Sequence, residues 1–129
     1  MFYVVDTHVL VWYLEDSPQL SLQASQALDD STANLVIPTI VLAEVKYLSS
    51  KSRVGLALNE VLEVVRNDPR CIIYPLDLGV IEAMPTGLDI HDAIICATAL
   101  VYKELLGEDA KIITRDEAIT ASHIIPTIW

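Results

Sequence analysis

The sequence predicts an α/β protein: a single domain over residues 1–129, with a central parallel sheet of four to five strands flanked by helices. Short runs of β-branched and aromatic residues alternate along the chain with longer segments whose apolar residues recur at helical spacing. Hydrophobic residues make up 53% of the chain, yet no apolar run approaches the roughly 20 residues that cross a bilayer. Strands and helices buried on more than one side account for this composition.

The first half of the chain contains two strands and four helices. In order, they are a strand over 2–5, helices over 7–16 and 21–30, a strand over 34–37, and helices over 39–51 and 54–68. Pro18 and Pro69 follow the first and fourth helices, and proline favours a helix end shortly before it. Ser21 is a suitable N-cap for the second helix, and Pro38 suits the first turn of the third.

The second half continues the alternation. It contains a strand over 71–74, a helix over 76–84, the longest helix over 88–107, a strand over 111–114, a short helix or turn over 115–119, and an edge strand within 123–129. Pro75 ends the third strand, and Gly107 is a suitable C-terminal cap for the long helix. This order of strands and helices predicts parallel pairing with helices on both faces of the sheet.

Charge and cysteine content exclude several classes of protein. The net charge of −10 argues against a broad basic surface that grips nucleic acid, although not against an enzyme that touches one phosphodiester. Cys71 and Cys96 form no C-x-x-C pair, so we expect small buried thiols in a reducing compartment and no structural zinc site. The N-terminus lacks the features of a secretory signal. We therefore expect a cytoplasmic protein without a membrane partner.

Two carboxylates follow predicted strands. Asp6 comes directly after the first strand, and Asp116 comes shortly after the fourth. Ligands of parallel α/β sheets bind beyond the carboxyl ends of the strands, so both acids are expected at the same edge. Each also has a simpler interpretation as the N-cap of the helix that follows it.

Two further acids lie in helices that adjoin this edge. Glu44 interrupts an apolar helical stripe, and Asp92 lies in the first turn of the long helix, three residues after its predicted N-cap, Asp89. Four crowded carboxylates would repel one another, and a divalent cation would remove that repulsion. Oxygen ligands suit Mg²⁺ or Mn²⁺, and such a cation can promote phosphodiester hydrolysis.

Four sequence motifs resemble those of the PIN domain family, and most closely its small VapC-type toxins. "VVDTHVLVWYL" is similar to the first motif, with Asp6 as its acid, and "TIVLAEVKYL" to the second, with Glu44. "LDIHDAIICATAL" is similar to the third motif, with Asp92, and "IITRDEAI" to the fourth, with Asp116. The resemblance extends over essentially the whole chain, as far as the closing "TIW".

This resemblance implies an Mg²⁺- or Mn²⁺-dependent endoribonuclease that acts as the toxin of a type II toxin–antitoxin pair. It implies an RNA substrate, a cognate antitoxin that covers the active groove, and a homodimer. Carried over by position, Asp6, Glu44, Asp92 and Asp116 form the catalytic, metal-binding quartet. Thr114 matches a polar position beside the fourth acid and is predicted to orient a water molecule.

Four residues near the acids are not predicted to bind the metal. His8 and His91 each lie close to one of the four acids and are expected to pack or to line the substrate edge, since a hard cation does not need imidazole. Trp12 is expected in the core, with contact to a partner as its second interpretation. Arg115 is expected to pair with a neighbouring acid or with substrate.

Three alternatives compete with a metal-dependent ribonuclease. A phosphohydrolase of the haloacid dehalogenase type would carry an acid two residues after the strand-end aspartate, where this chain has His8. A receiver-like domain would place an acidic pair after the first strand, where Asp6 stands alone. A PIN-like scaffold that mainly binds a partner, with weak or no nuclease activity, remains open because the presence of four acids does not establish turnover.

Overall fold

A computed structural model describes the whole chain, residues 1–129, and contains one five-stranded sheet. The strands are β1 Phe2–Val5, β2 Asn34–Pro38, β3 Cys71–Tyr74, β4 Ala110–Ile113 and β5 Thr127–Ile128. Their order across the sheet is β3-β2-β1-β4-β5, and every neighbouring pair is parallel. The predicted α/β class and parallel sheet are confirmed.

Seven α-helices connect and cover the strands. They are α1 Thr7–Leu14, α2 Leu22–Asp29, α3 Thr39–Ser50, α4 Leu58–Asn67, α5 Leu78–Ala83, α6 Ile90–Leu100 and α7 Glu117–Ser122. The predicted long helix over 88–107 is shorter and in two parts, because α6 continues as one π-helical turn over Val101–Leu105. Gly107 ends this segment with a φ of 67°, a left-handed conformation that glycine adopts at little cost. No helix is both long and apolar enough to span a membrane.

The core surrounds the three central strands. Val4 and Val5 of β1, with Ile112 and Ile113 of β4, are completely buried. Burial on both faces explains the continuous apolar runs of these strands. Cys96 is also buried and Cys71 partly so; burial raises the pKa of both thiols to about 11, as expected of structural cysteines.

The strand register places the ends of β1 and β4 side by side. Val5 is the register partner of Ile113, and the Asp6 N–H donates a hydrogen bond to the carbonyl of Ile113. Asp6 therefore leaves the middle strand at the centre of the carboxyl edge, directly beside the start of the segment that carries Thr114 and Asp116. This edge holds the candidate site.

Candidate active site

Asp6 is a partly buried carboxylate anchored through both of its oxygens. It is the N-cap of α1: Oδ1 accepts the Thr7 N–H at 2.7 Å, and Oδ2 accepts the Thr114 hydroxyl at 2.6 Å. Burial opposes the charge on Asp6, but the nearby His91 and the hydrogen bonds from Thr114 and Thr7 together outweigh burial and hold the pKa of the carboxyl below its ordinary value. Asp6 is thus both a helix cap and an anion fixed at the edge of the sheet.

Thr114 links the first and fourth acids. Its side chain is fully buried; its hydroxyl donates to Asp6, and its oxygen accepts the Asp116 N–H at 2.9 Å. The hydroxyl proton is therefore engaged by a carboxylate, and the role of Thr114 in orienting water stays a prediction. Thr114 determines where Asp6 and the start of the Asp116 segment lie relative to each other.

His91 stands between two of the acids. Its Nδ1 lies 2.8 Å from Glu44 Oε2, and its Nε2 lies 3.9 Å from Asp6 Oδ1 and 3.3 Å from Thr7 Oγ1. The interaction with Asp6 and the charge of Glu44 raise the pKa of His91 against the opposing effect of burial. His91 therefore lies between Glu44 and Asp6, and its place at the substrate edge stays a prediction. Its position beside Asp92 in the first turn of α6 was the only signal in the sequence.

Asp92 is the acid whose pKa is raised by the charges of its neighbours. Burial first, and then the charges of Asp116 and Asp6, raise the pKa of Asp92 to about 6. Asp116 is the N-cap of α7 and accepts the N–H groups of Ala118 and Ile119 at 2.8 and 3.1 Å. The charges of Asp6 and Asp116 therefore both act on Asp92. Glu44 is connected to this group through its contact with His91.

The donor chemistry of these residues fits a hard divalent cation. All four predicted acids offer carboxylate oxygens, the ligand type that Mg²⁺ and Mn²⁺ prefer, and a cation would relieve the repulsion that acts on Asp92. No group of three His, Cys, Asp or Glu side chains is arranged to hold a metal ion in the structure. Glu44 contacts the imidazole of His91, with 2.8 Å between Oε2 and Nδ1.

A cleft of about 360 Å³ opens beside Asp6 and Asp116. Its other lining residues are His8, Val9, Trp12, Arg115 and Glu117. Trp12 is partly exposed on the cleft wall and lies outside the hydrophobic core, so the predicted core position is wrong. Arg115 forms no ion pair with a neighbouring acid and instead lies over the Trp12 ring.

We expect the Asp92→Asn substitution to stabilise the metal-free protein at pH 7.5 by about 1 kcal/mol, after allowing for solvent screening of a partly exposed group. The folded-state pKa of Asp92, about 6, lies above the ordinary 3.8, so its cost to stability grows between these pH values and is complete above 6. Thermal unfolding in EDTA should show the gain at pH 7.5 and its loss near pH 4. Asp6→Asn should instead lower the melting temperature, because the fold favours ionised Asp6. Equal melting temperatures for Asp92→Asn and wild type at pH 7.5 would contradict the raised pKa of Asp92.

The sequence matches the family model described as PIN domain over residues 3–121. A comparison with curated proteins gives no significant match.

Several solved structures share the fold. The crystal structure of VapBC2 from Rickettsia felis bound to a DNA fragment from their promoter contains a chain that is 18% identical; the match covers 98% of this chain and 97% of that one, with a TM-score of 0.71. A chain of FitAcB from Neisseria gonorrhoeae is also 18% identical. The match covers 97% of this chain and 95% of that one, with a TM-score of 0.67. The PIN domain endonuclease Utp24 is 17% identical. That match covers 92% of this chain and 74% of the Utp24 chain, with a TM-score of 0.51. At these identities the likeness concerns the fold.

Proposed function

The chain belongs to the PIN domain family, and from this premise we propose that it is a metal-dependent endoribonuclease and the toxin of a type II toxin–antitoxin pair. The observation that carries the proposal is the convergence of Asp6, Asp92 and Asp116 from three separate elements onto one edge of the sheet. Burial, and then the charges of Asp116 and Asp6, raise the pKa of Asp92 to about 6. A bound cation would offset the repulsion between these carboxylates and would therefore stabilise the fold.

In this proposal, Asp6, Glu44, Asp92 and Asp116 hold Mg²⁺ or Mn²⁺ together. When bound, the cation would supply positive charge at the scissile phosphate and make a water molecule more acidic. Thr114 keeps Asp6 oriented and ionised through its 2.6 Å hydrogen bond, and His91 holds Glu44 at the same edge. The chain's net charge of −10 is compatible with this division of roles, because the positive charge needed at one phosphate need not come from the protein surface.

The proposed partners are an RNA substrate, a cognate antitoxin and a second copy of the chain. Similarity of fold to chains in the VapBC2 and FitAcB structures supports the antitoxin, and those matches extend over nearly the full length of this chain. The dimer rests on the family resemblance. A cytoplasmic location accompanies the proposal, since RNA is encountered there.

Purified chain, free of any partner, is expected to cleave structured RNA when Mn²⁺ or Mg²⁺ is added. EDTA should stop the reaction and excess Mn²⁺ should restore it, because metal-free carboxylates lack the positive charge that the phosphodiester requires. The measurement is gel separation of end-labelled transfer, messenger and ribosomal RNA fragments over time. Absence of cleavage on all three RNA classes would favour a PIN-like scaffold that binds a partner without turnover.

A further inference from the structure

Three aromatic rings and a guanidinium form one cluster, here called the Trp12 cluster, which consists of His8, Trp12, Arg115 and Trp129. The ring centroid of Trp12 lies 5.6 Å from that of His8 and 5.8 Å from that of Trp129. The guanidinium carbon of Arg115 lies 5.8 Å from the Trp12 centroid. Such distances are typical of aromatic packing and cation–π contact.

The Trp12 cluster is continuous with the proposed catalytic edge. His8 and Trp12 are four residues apart on one face of α1, the helix that Asp6 caps, and Arg115 directly precedes Asp116. Three members of the cluster line the 360 Å³ cleft together with Asp6 and Asp116. An occupant of this cleft would therefore touch aromatic rings and carboxylates at the same time.

The composition of the cleft favours a nucleotide as its occupant. His8 and Arg115 are exposed and Trp12 is only partly buried, so the rings of His8 and Trp12 are not part of the hydrophobic core. Arg115 is the only lysine or arginine that lines the cleft. Aromatic and guanidinium planes stack on unpaired bases, and the guanidinium can also contact a phosphate.

We propose that the Trp12 cluster binds one unpaired base of RNA beside the scissile phosphate, with the base against His8 and Trp12 and an adjacent phosphate near Arg115. This inference rests on the proposed ribonuclease function and adds to it a binding position for one base beside the proposed cut. Double-stranded RNA keeps its bases stacked within the helix, so its bases cannot enter the cleft without unpairing.

The test measures binding of a fluorescently labelled single-stranded adenylate pentamer to the Asp6→Asn chain in Mg²⁺, where the RNA stays intact. Trp12→Leu in that background should raise the Kd roughly 5- to 150-fold, the range found when a base loses its aromatic partner. Trp12→Phe should raise the Kd by a smaller factor, because the smaller phenylalanine ring can still stack on a base. A pentamer lacking its bases should bind equally to the parent and to Trp12→Leu.

Arg115→Ala tests the phosphate contact against a matched control. It should weaken binding of the pentamer and reduce the dependence of Kd on salt concentration. Arg66→Ala removes the same charge from the exposed last turn of α4, which leads into the opposite end of the sheet, and should change neither quantity. Because Arg115 and His8 are exposed, Arg115→Ala and His8→Ala keep the test valid even if Trp12→Leu does not fold.

Unchanged pentamer binding by folded Trp12→Leu and Arg115→Ala would overturn the inference, and would leave the cluster as a structural anchor for Trp129. Failure of the ribonuclease proposal is distinguishable, because wild-type chain would then not cut RNA in Mn²⁺ or Mg²⁺ even though the pentamer binds through Trp12.

Discussion

Asp6→Asn is expected to reduce metal-dependent RNA cleavage by at least roughly 100-fold, since loss of a partner that only supports a metal ligand already costs 10–100-fold. Asparagine keeps the size of the side chain but removes the negative charge that the fold stabilises with bonds from Thr114 and Thr7. The measurement is the initial rate of cleavage at saturating Mn²⁺, compared with wild type.

Asp109→Asn is the matched control for Asp6→Asn. Asp109 is exposed just before β4, at the opposite end of the sheet, and the same loss of charge there should leave the cleavage rate unchanged. Far-UV circular dichroism and thermal unfolding establish that both variants are folded at the assay temperature. Full cleavage by folded Asp6→Asn would refute a catalytic role for the edge of the sheet, because Asp6 lies at its centre, after the middle strand.

Thr114→Val is expected to lower the cleavage rate by about 10- to 100-fold, the usual cost of losing a residue that orients a ligand. Valine has nearly the same shape but cannot donate to Asp6 or accept the Asp116 N–H. The pKa of Asp6 should rise, since the Thr114 hydroxyl is one cause of its depression. Stability should fall by about 1–3 kcal/mol, the cost of buried polar groups left without partners.

Two variants separate positioning by Thr114 from a merely structural role. Thr114→Ser retains the hydroxyl and should restore most of the cleavage rate. Thr98→Val removes another buried threonine hydroxyl, which donates only to the Ile94 carbonyl within α6, and should leave the cleavage rate unchanged. Equal losses of activity in Thr114→Val and Thr98→Val would show that Thr114 acts through stability alone.

Much of the architecture could be predicted because it depends on local patterns. The runs "FYVV" and "KIIT" are too short and too apolar for surface elements, and Pro69, Pro75 and Gly107 mark ends that backbone sterics impose. Helix boundaries were predicted less well. The change from α6 to a π-helical turn at Val101 leaves no mark in the apolar periodicity.

The sequence alone determined the chemistry available at the site: acids after the first and fourth strands, an acid within an apolar helix, and an acid in the first turn of another. Only the tertiary structure decided how they are held. Thr114 meets Asp6 across 108 positions, His91 reaches Thr7 across 84, and Trp12 meets the C-terminal Trp129. The physical reason is that local periodicity specifies which face of an element is buried, whereas hydrogen bonds between distant residues depend on strand register and helix packing.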